Sequence, residues 1–504
     1  MAIGARRGKS PDTFWPAPIL ALGLLISSLP GCASREGLAP TGHPLETSAL
    51  SANRSLVRGA RDGATWPATD WWRGLGDRQL DQLIDEALAG TPDLALANAR
   101  VREAEAAALS ARAARGPSLD GNADVAIDRR DPQEAQVTSG DEQTASTKET
   151  TFVKEATVNL SWSLDLWGGK RAAWEAAVGR AQAAEIDRRA VRIELSTAIA
   201  RAYARFGYDD AQRDIAIAEF ARTREALDLT RQRYRNGIDD PIQQHRAEGE
   251  AAAAEQQVET ADQAIGSDRI ALAILLGKGP DRGLEIAPPR LVRPAAITVP
   301  PDLPSDLIGH RADLVAARWR VEASDRDITA AKAQFLPNIS ISGLAGVSLS
   351  EAGGLTSALT YHLGPALSLP LFDSGRRRAD LALRDAAYDL AVAQYNKTLI
   401  TALNTVADRL GSLRALSRRI EAQQRVTDAA TAAWSLAERR DRAGIGSHLD
   451  TLSARQPLLS AQARLSALHA EEVDLSLRLI EALGGGYRPD PADRGATAQA
   501  SVHS

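Results

Sequence analysis

Thr157–Arg171 reads TVNLSWSLDLWGGKR. Every second residue is apolar: Val158, Leu160, Trp162, Leu164 and Leu166. The residues between them, Thr157, Asn159, Ser161, Ser163 and Asp165, are polar. A period of two belongs to a strand with one greasy face and one wet face. The chain then passes Gly168-Gly169 and enters a long Ala/Arg/Glu-rich run. A strand of this kind attached to so helical a segment is the feature that decides the fold.

The run from Lys170 to Asn236 contains no proline, and neither does its later counterpart from Arg376 to Ala443. At 1.5 Å per residue each would reach roughly 100 Å as one helix, many times the usual three turns. Apolar and small residues recur at three and four along the first run, at Ile186, Ala190, Ile193, Thr197, Ala200 and Tyr203. That spacing fits a coiled-coil seam lined with small side chains. The first run breaks at Gly237, with Pro241 placed for the first turn of a returning helix, and the second breaks at Gly444-Ile445-Gly446. The returning helices end near Gly277 and Gly484. Being shorter than the outgoing arms, they are expected to be completed end to end by helices over 92–115 and 312–335.

The chain is thus a duplication. Pro92-Asp93-Leu94 to Pro117 is matched by Ala312-Asp313-Leu314 to Pro337, Leu164–Trp167 by Leu369–Phe372, and Arg235–Ile238 by Arg442–Ile445. Each copy reads helix, strand, loop, strand, long helix, tight turn, long helix. The strands are Leu119–Ile127, Thr157–Leu166, Ile339–Leu349 and Leu363–Leu371, with a polar loop over Asp131–Glu149. Strands of roughly ten residues suit a tilted membrane crossing, although a half-buried strand in a soluble sandwich has the same period. Four strands cannot close a barrel in lipid, because their edges would leave backbone groups unpaired. Three chains would supply twelve, and the outsized helices would then pack on copies of themselves.

Composition agrees. Of 504 residues 44% are hydrophobic but 4% aromatic, so alanine carries much of the apolar content, as close helix packing prefers. A net charge of -5 gives no sign of nucleic-acid binding. One Cys and one Met exclude an internal disulfide framework and argue against a soft-metal site. Arg6, Arg7 and Lys9 precede an apolar stretch, Ile19–Leu29, too short to span a bilayer. It ends in Leu29-Pro30-Gly31-Cys32, which resembles a lipobox and implies a diacylglyceryl anchor on Cys32, the one cysteine of the chain. Ala33 rather than Asp after it points to the outer membrane. A plain signal peptide with an incidental cysteine is the competing reading. The expected divisions are a signal peptide (1–31), an extended segment (32–68), a first repeat (69–288), a linker (289–303), a second repeat (304–486) and a flexible tail (487–504).

Several segments together carry a family resemblance: DWWRGLGDRQLDQLIDEAL (Asp70–Leu88), AKAQFLPNISISG (Ala331–Gly343), LPLFDSGRRRA (Leu369–Ala379), RYRNGI (Arg233–Ile238), AGIGSHLDTL (Ala443–Leu452) and EALGGGY (Glu481–Tyr487). In order and spacing the chain resembles the outer-membrane efflux protein family, the TolC-like channels, and within it the lipidated, NodT-like branch. The resemblance implies a fold that is mainly α with a transmembrane β-barrel, built as a homotrimer in which four strands per chain form a twelve-stranded barrel and long helical hairpins a periplasmic tunnel. It implies a passive exit duct in outer-membrane lipid for drugs or other small molecules. The duct would be served by an inner-membrane pump of the resistance–nodulation–division (RND) class and a periplasmic adaptor. The adaptor-contacting tips would be Tyr234, Gly237 and Ile238, and Gly444, Ile445 and Gly446. Asp450 would be an entrance-gate carboxylate, with Ser453 replacing the family's second acid; an ordinary early-helix aspartate is the alternative. Pro457 is expected to kink the returning helix. No cofactor is implied beyond the covalent lipid on Cys32. Ducts for type I protein secretion or metal export, and a non-conducting periplasmic scaffold, remain as alternatives.

No enzyme is expected. The seven histidines are scattered, and no metal spacing, nucleophile elbow or phosphate loop is present. Adjacent carboxylates such as Asp209-Asp210 and Glu471-Glu472 do not face one another on a helix.

Overall fold

The computed structural model describes residues 36–45, 50, 66–130, 149–289, 309–351 and 355–490. A 3-10 turn, Trp71–Leu75, leads into α1 (Arg78–Gly90) and α2 (Pro92–Ala113). Strands β1 (Ser118–Arg130) and β2 (Glu149–Ser163) follow, then α3 (Gly169–Arg235), α4 (Pro241–Leu275) and the short α5 (Asp281–Leu284). The second copy is α6 (Ala312–Ala333), β3 (Asn338–Glu351), β4 (Leu355–Ser368), α7 (Arg376–Arg442) and α8 (His448–Ala482). The expected signal peptide (1–31), Cys32 and all of the expected linker (289–303) but Pro289 fall outside the described residues.

The duplication is visible in the bounds. Helices α3 and α7 are each 67 residues long, and α4 and α8 each 35. Both ends of α7 lie 207 residues after those of α3 (376 − 169 and 442 − 235), and the same holds for α8 and α4. The chain forms two compact units, one holding Ser110–Trp174 and Asp325–Tyr388, the other Gly42–Leu109, Glu175–Ser324 and the chain from Asp389.

The first unit contains the sheet, a fully antiparallel meander in the order β1-β2-β3-β4. Its strands run 13 to 15 residues, longer than the apolar alternation alone suggests. The polar ends of β1 and β2, Arg130 and Glu149, still pair. Backbone hydrogen bonding does not require apolar side chains, so the ladder outlasts the pattern. In the other direction β2 stops at Ser163 rather than Leu166. Asp165 serves instead at the start of α3, accepting from the backbone N–H of Lys170 (2.9 Å) and Arg171 (2.7 Å). Strand β4 lies earlier than expected, over Leu355–Ser368, and as the sheet's last strand it accommodates Pro365 within it.

In the second unit the core gathers where α1 packs on the long helices. Leu80, Leu83, Ile84 and Ala87 lie at helical spacing and are buried with Leu195, Ile199, Phe206, Leu272 and Leu477. Asp77 caps α1 by accepting from Gln79 N–H (2.9 Å) and Leu80 N–H (3.2 Å), and the Tyr203 hydroxyl donates to the same carboxylate at 3.0 Å. The described chain continues past 486 to 490: Tyr487 is buried with Ala183, Ile186, Ala312 and Val315, and Asp490 pairs with Arg189 at 3.0 Å.

Helix ends also meet as expected. A Cβ on Gly277, just past α4, would lie 2.6 Å from Pro92 Cδ at the start of α2. A Cβ on Gly484, just past α8, would lie closer still, 1.8 Å from the His310 carbonyl oxygen, and Arg311 donates to the carbonyl of Ala482 at 2.7 Å. That guanidinium satisfies a carbonyl the helix cannot.

Candidate functional site

Register fixes the two faces of the sheet. Leu119, Leu160, Gly343 and Leu363 share one row, and Asn122, Thr157, Gly346 and Thr360 another on the opposite face. The apolar row belongs to a face left open, with Leu119 68% and Leu363 71% exposed. Among the described residues, strands β1 and β4 each lack a neighbour on one side. Open apolar area of this extent, flanked by two unpaired backbone edges, is unstable in water and in lipid alike unless further strands complete it. Among the described residues no helix is long and apolar enough to cross a membrane.

The two hairpin tips are built alike. At the first, Ile238 N–H bonds to the Arg233 carbonyl (2.9 Å) and Gly237 N–H to the Tyr234 carbonyl (2.9 Å), with Gly237 at φ 71°. At the second, Ile445 N–H bonds to Arg440 (3.0 Å) and Gly444 N–H to Asp441 (2.9 Å), with Gly444 at φ 72°. Both are Schellman closures, in which a left-handed glycine lets the last carbonyls be satisfied. Asp240, followed by Pro241, caps α4, and Ser447 caps α8. The turns hold Ile238 61% and Ile445 70% exposed, with Tyr234 also at the surface.

Asp450 sits in this second turn, but its carboxylate accepts from the backbone N–H of Ser447 (3.2 Å), closing a capping box. The early-helix alternative therefore describes its contact in the subunit. Helix α8 runs unbroken through Pro457, which leaves the Ser453 carbonyl without its helical donor.

Sequence reasoning missed the ion pairs around the tips. Arg233 clamps Asp239 with bonds of 2.9 and 3.0 Å, which holds the Asp239 carboxyl below its usual range. The matching positions 207 residues on are Arg440 and Gly446, so the second tip has no such clamp. There His448 instead reaches Asp441 (2.8 Å) and, on α3, Glu225 (2.9 Å). Comparing the copies position by position was the signal that would have exposed the first difference.

Comparison with known proteins agrees with this geometry. The family model described as "Outer membrane efflux protein" matches residues 83–278 and 303–485. The fusaric acid resistance protein FusA of Burkholderia cepacia is 39% identical over 73% of this chain and 69% of its own. The putative multidrug resistance outer membrane protein MdtQ of Shigella flexneri is 30% identical over 95% of this chain and 99% of its own. The crystal structure of the outer membrane protein VceC from Vibrio cholerae superposes with a TM-score of 0.72 at 34% identity, covering 84% of this chain and all of that one. Family and fold are those of channel proteins. The chain belongs to the outer membrane efflux protein family: it is an outer-membrane channel, mainly α with four strands toward a transmembrane β-barrel, and acts as a passive exit duct in efflux.

Proposed function

We propose that the working duct is a homotrimer in which each chain lends β1–β4 to one twelve-stranded barrel, anchored by lipid on Cys32. A periplasmic adaptor meets the tips at Tyr234, Gly237 and Ile238 and at Gly444, Ile445 and Gly446, and joins the duct to an inner-membrane pump of the RND class. Asp450 adds a carboxylate beside the entrance while capping its own helix. The cargo is a small organic molecule, a reading supported by relatives named for fusaric acid and multidrug resistance. The single observation that carries the trimer is the open sheet, whose apolar face and two free edges have no partner among the described residues.

The test is paired. Cysteines placed on β1 and β4 should cross-link between subunits into a covalent trimer, and the purified protein should give steady single-channel conductance in a planar bilayer. A monodisperse, detergent-independent monomer would overturn the reading. Mass spectrometry of the mature protein should find a diacylglyceryl adduct at Cys32, absent in Cys32→Ala.

A further inference from the structure

His448 is the first residue of α8 and joins the two hairpins of one subunit near their tips. Its Nδ1 faces the Asp441 carboxylate of α7 at 2.8 Å, and its Nε2 faces the Glu225 carboxylate of α3 at 2.9 Å. A neutral imidazole has one N–H, so it can serve one of these acceptors and must turn a lone pair toward the other. The protonated ring donates to both. Geometry therefore selects the imidazolium, and the bonds to Asp441 first and Glu225 second push the His448 pKa above its ordinary 6.5.

Other charges nearby do not reverse this. Arg224 and Asp228 of α3 line the same groove and oppose one another in sign. On α7, Arg442 is held by Glu438 at 2.7 Å. On α8 itself, Asp450 is engaged by the Ser447 backbone. The N-terminal end of α8 is unfavourable for a cation, and two carboxylates within 3 Å outweigh it.

We propose that His448 is a proton-held tie between the two hairpins of a subunit, made when the ring is charged and released when it loses its proton. The tie stands on this subunit's own geometry; its placement at the duct entrance rests on the function proposed above. The first hairpin carries its own clamp, Arg233–Asp239, so release frees the second tip, which has none. A histidine charged by its partners stabilises fully below its ordinary pKa, and that contribution is lost as pH rises through the raised value. With the His448 side chain 44% exposed, the tie is also screened by salt.

The experiment uses the full-length protein in nanodiscs. With 13C-labelled histidine, the resonance that disappears in His448→Gln is followed against pH. Its midpoint should lie above 6.5 and fall in Glu225→Gln; a midpoint at or below 6.5 would overturn the proposal. Spin labels at exposed Arg235 and Ala443, with Cys32 replaced by serine, read the separation of the tips. The distance distribution should broaden as pH passes that midpoint, stay narrow in His448→Lys and be broad throughout in His448→Gln. A distribution in the unaltered His448 protein that ignores pH would sink the tie. Neither readout depends on conduction, so a silent bilayer would count against the duct and not against His448.

Discussion

Arg233 and Asp239 face each other across the first hairpin turn with two hydrogen bonds, of 2.9 and 3.0 Å, while Gly446 stands where the repeat would place a second such aspartate. Fork-to-fork guanidinium–carboxylate pairs restrict geometry more than they add stability at an exposed site. Asp239→Asn should therefore leave the melting temperature unchanged. Trypsin cleavage at Arg233 and Arg235 should rise to the level seen at Arg440 and Arg442, as band intensities on a time course would show.

Between α3 and α4, Asp268 lies partly buried against Asp209, which also accepts from Arg205 Nε at 2.9 Å. Desolvation first, and the bond to Asp209 next, raise the Asp268 carboxyl from 3.8 to about 7. A carboxyl raised in the native state favours folding while protonated and opposes it once ionised. Stability should fall as pH climbs from about 4 to about 7 and level off above that. Asp268→Asn should flatten this fall and melt higher than the parent at pH 8.5 by scanning calorimetry.

Two left-handed glycines separate conformational cost from steric cost. Around Gly237, φ 71°, a Cβ would meet open space; at Gly484, φ 95°, it would lie 1.8 Å from the His310 carbonyl oxygen. Gly237→Ala should cost about 1–2 kcal/mol, the penalty of a left-handed L-residue. Gly484→Ala adds a backbone collision to that penalty and should prevent accumulation of folded protein, as heat-resistant trimer on gels would reveal.

Pro457 is exposed inside α8 and removes one helical hydrogen bond. Pro457→Ala should restore it and stabilise the helix by up to about 3 kcal/mol. Slowed amide exchange over Ser453–Leu459, measured by mass spectrometry, is the expected outcome.

Much of the fold was legible because it is written in period and punctuation. Proline-free runs, glycine stops and Pro241 marked α3, α4, α7 and α8 to within a residue or two. Strand ends were harder. Asp165 reads as the polar half of an alternating pair, yet its carboxylate is taken by the start of α3. The Asp77–Tyr203 bond, spanning 126 positions, has no local signature at all. The tip glycines were evident, but His448 was one of seven scattered histidines until folding set it between Asp441 and Glu225. Periodicity reports what a residue's neighbours along the chain require; such bonds are decided by neighbours across it.

The matched bounds of the two long hairpins carry a restriction on how this molecule can change. Adding one residue to α3 would turn everything beyond it by about 100° and advance it by 1.5 Å, swinging Tyr234 and Ile238 onto another side of the helix. The opposite arm would no longer meet the same seam. Growth is tolerable between the strands, where the two copies already differ in length: β1 and β2 are separated by residues 131–148, β3 and β4 by residues 352–354. Inserted sequence, whether by evolution or by an engineer, belongs at that end, whereas the arms accept substitution but hold their count.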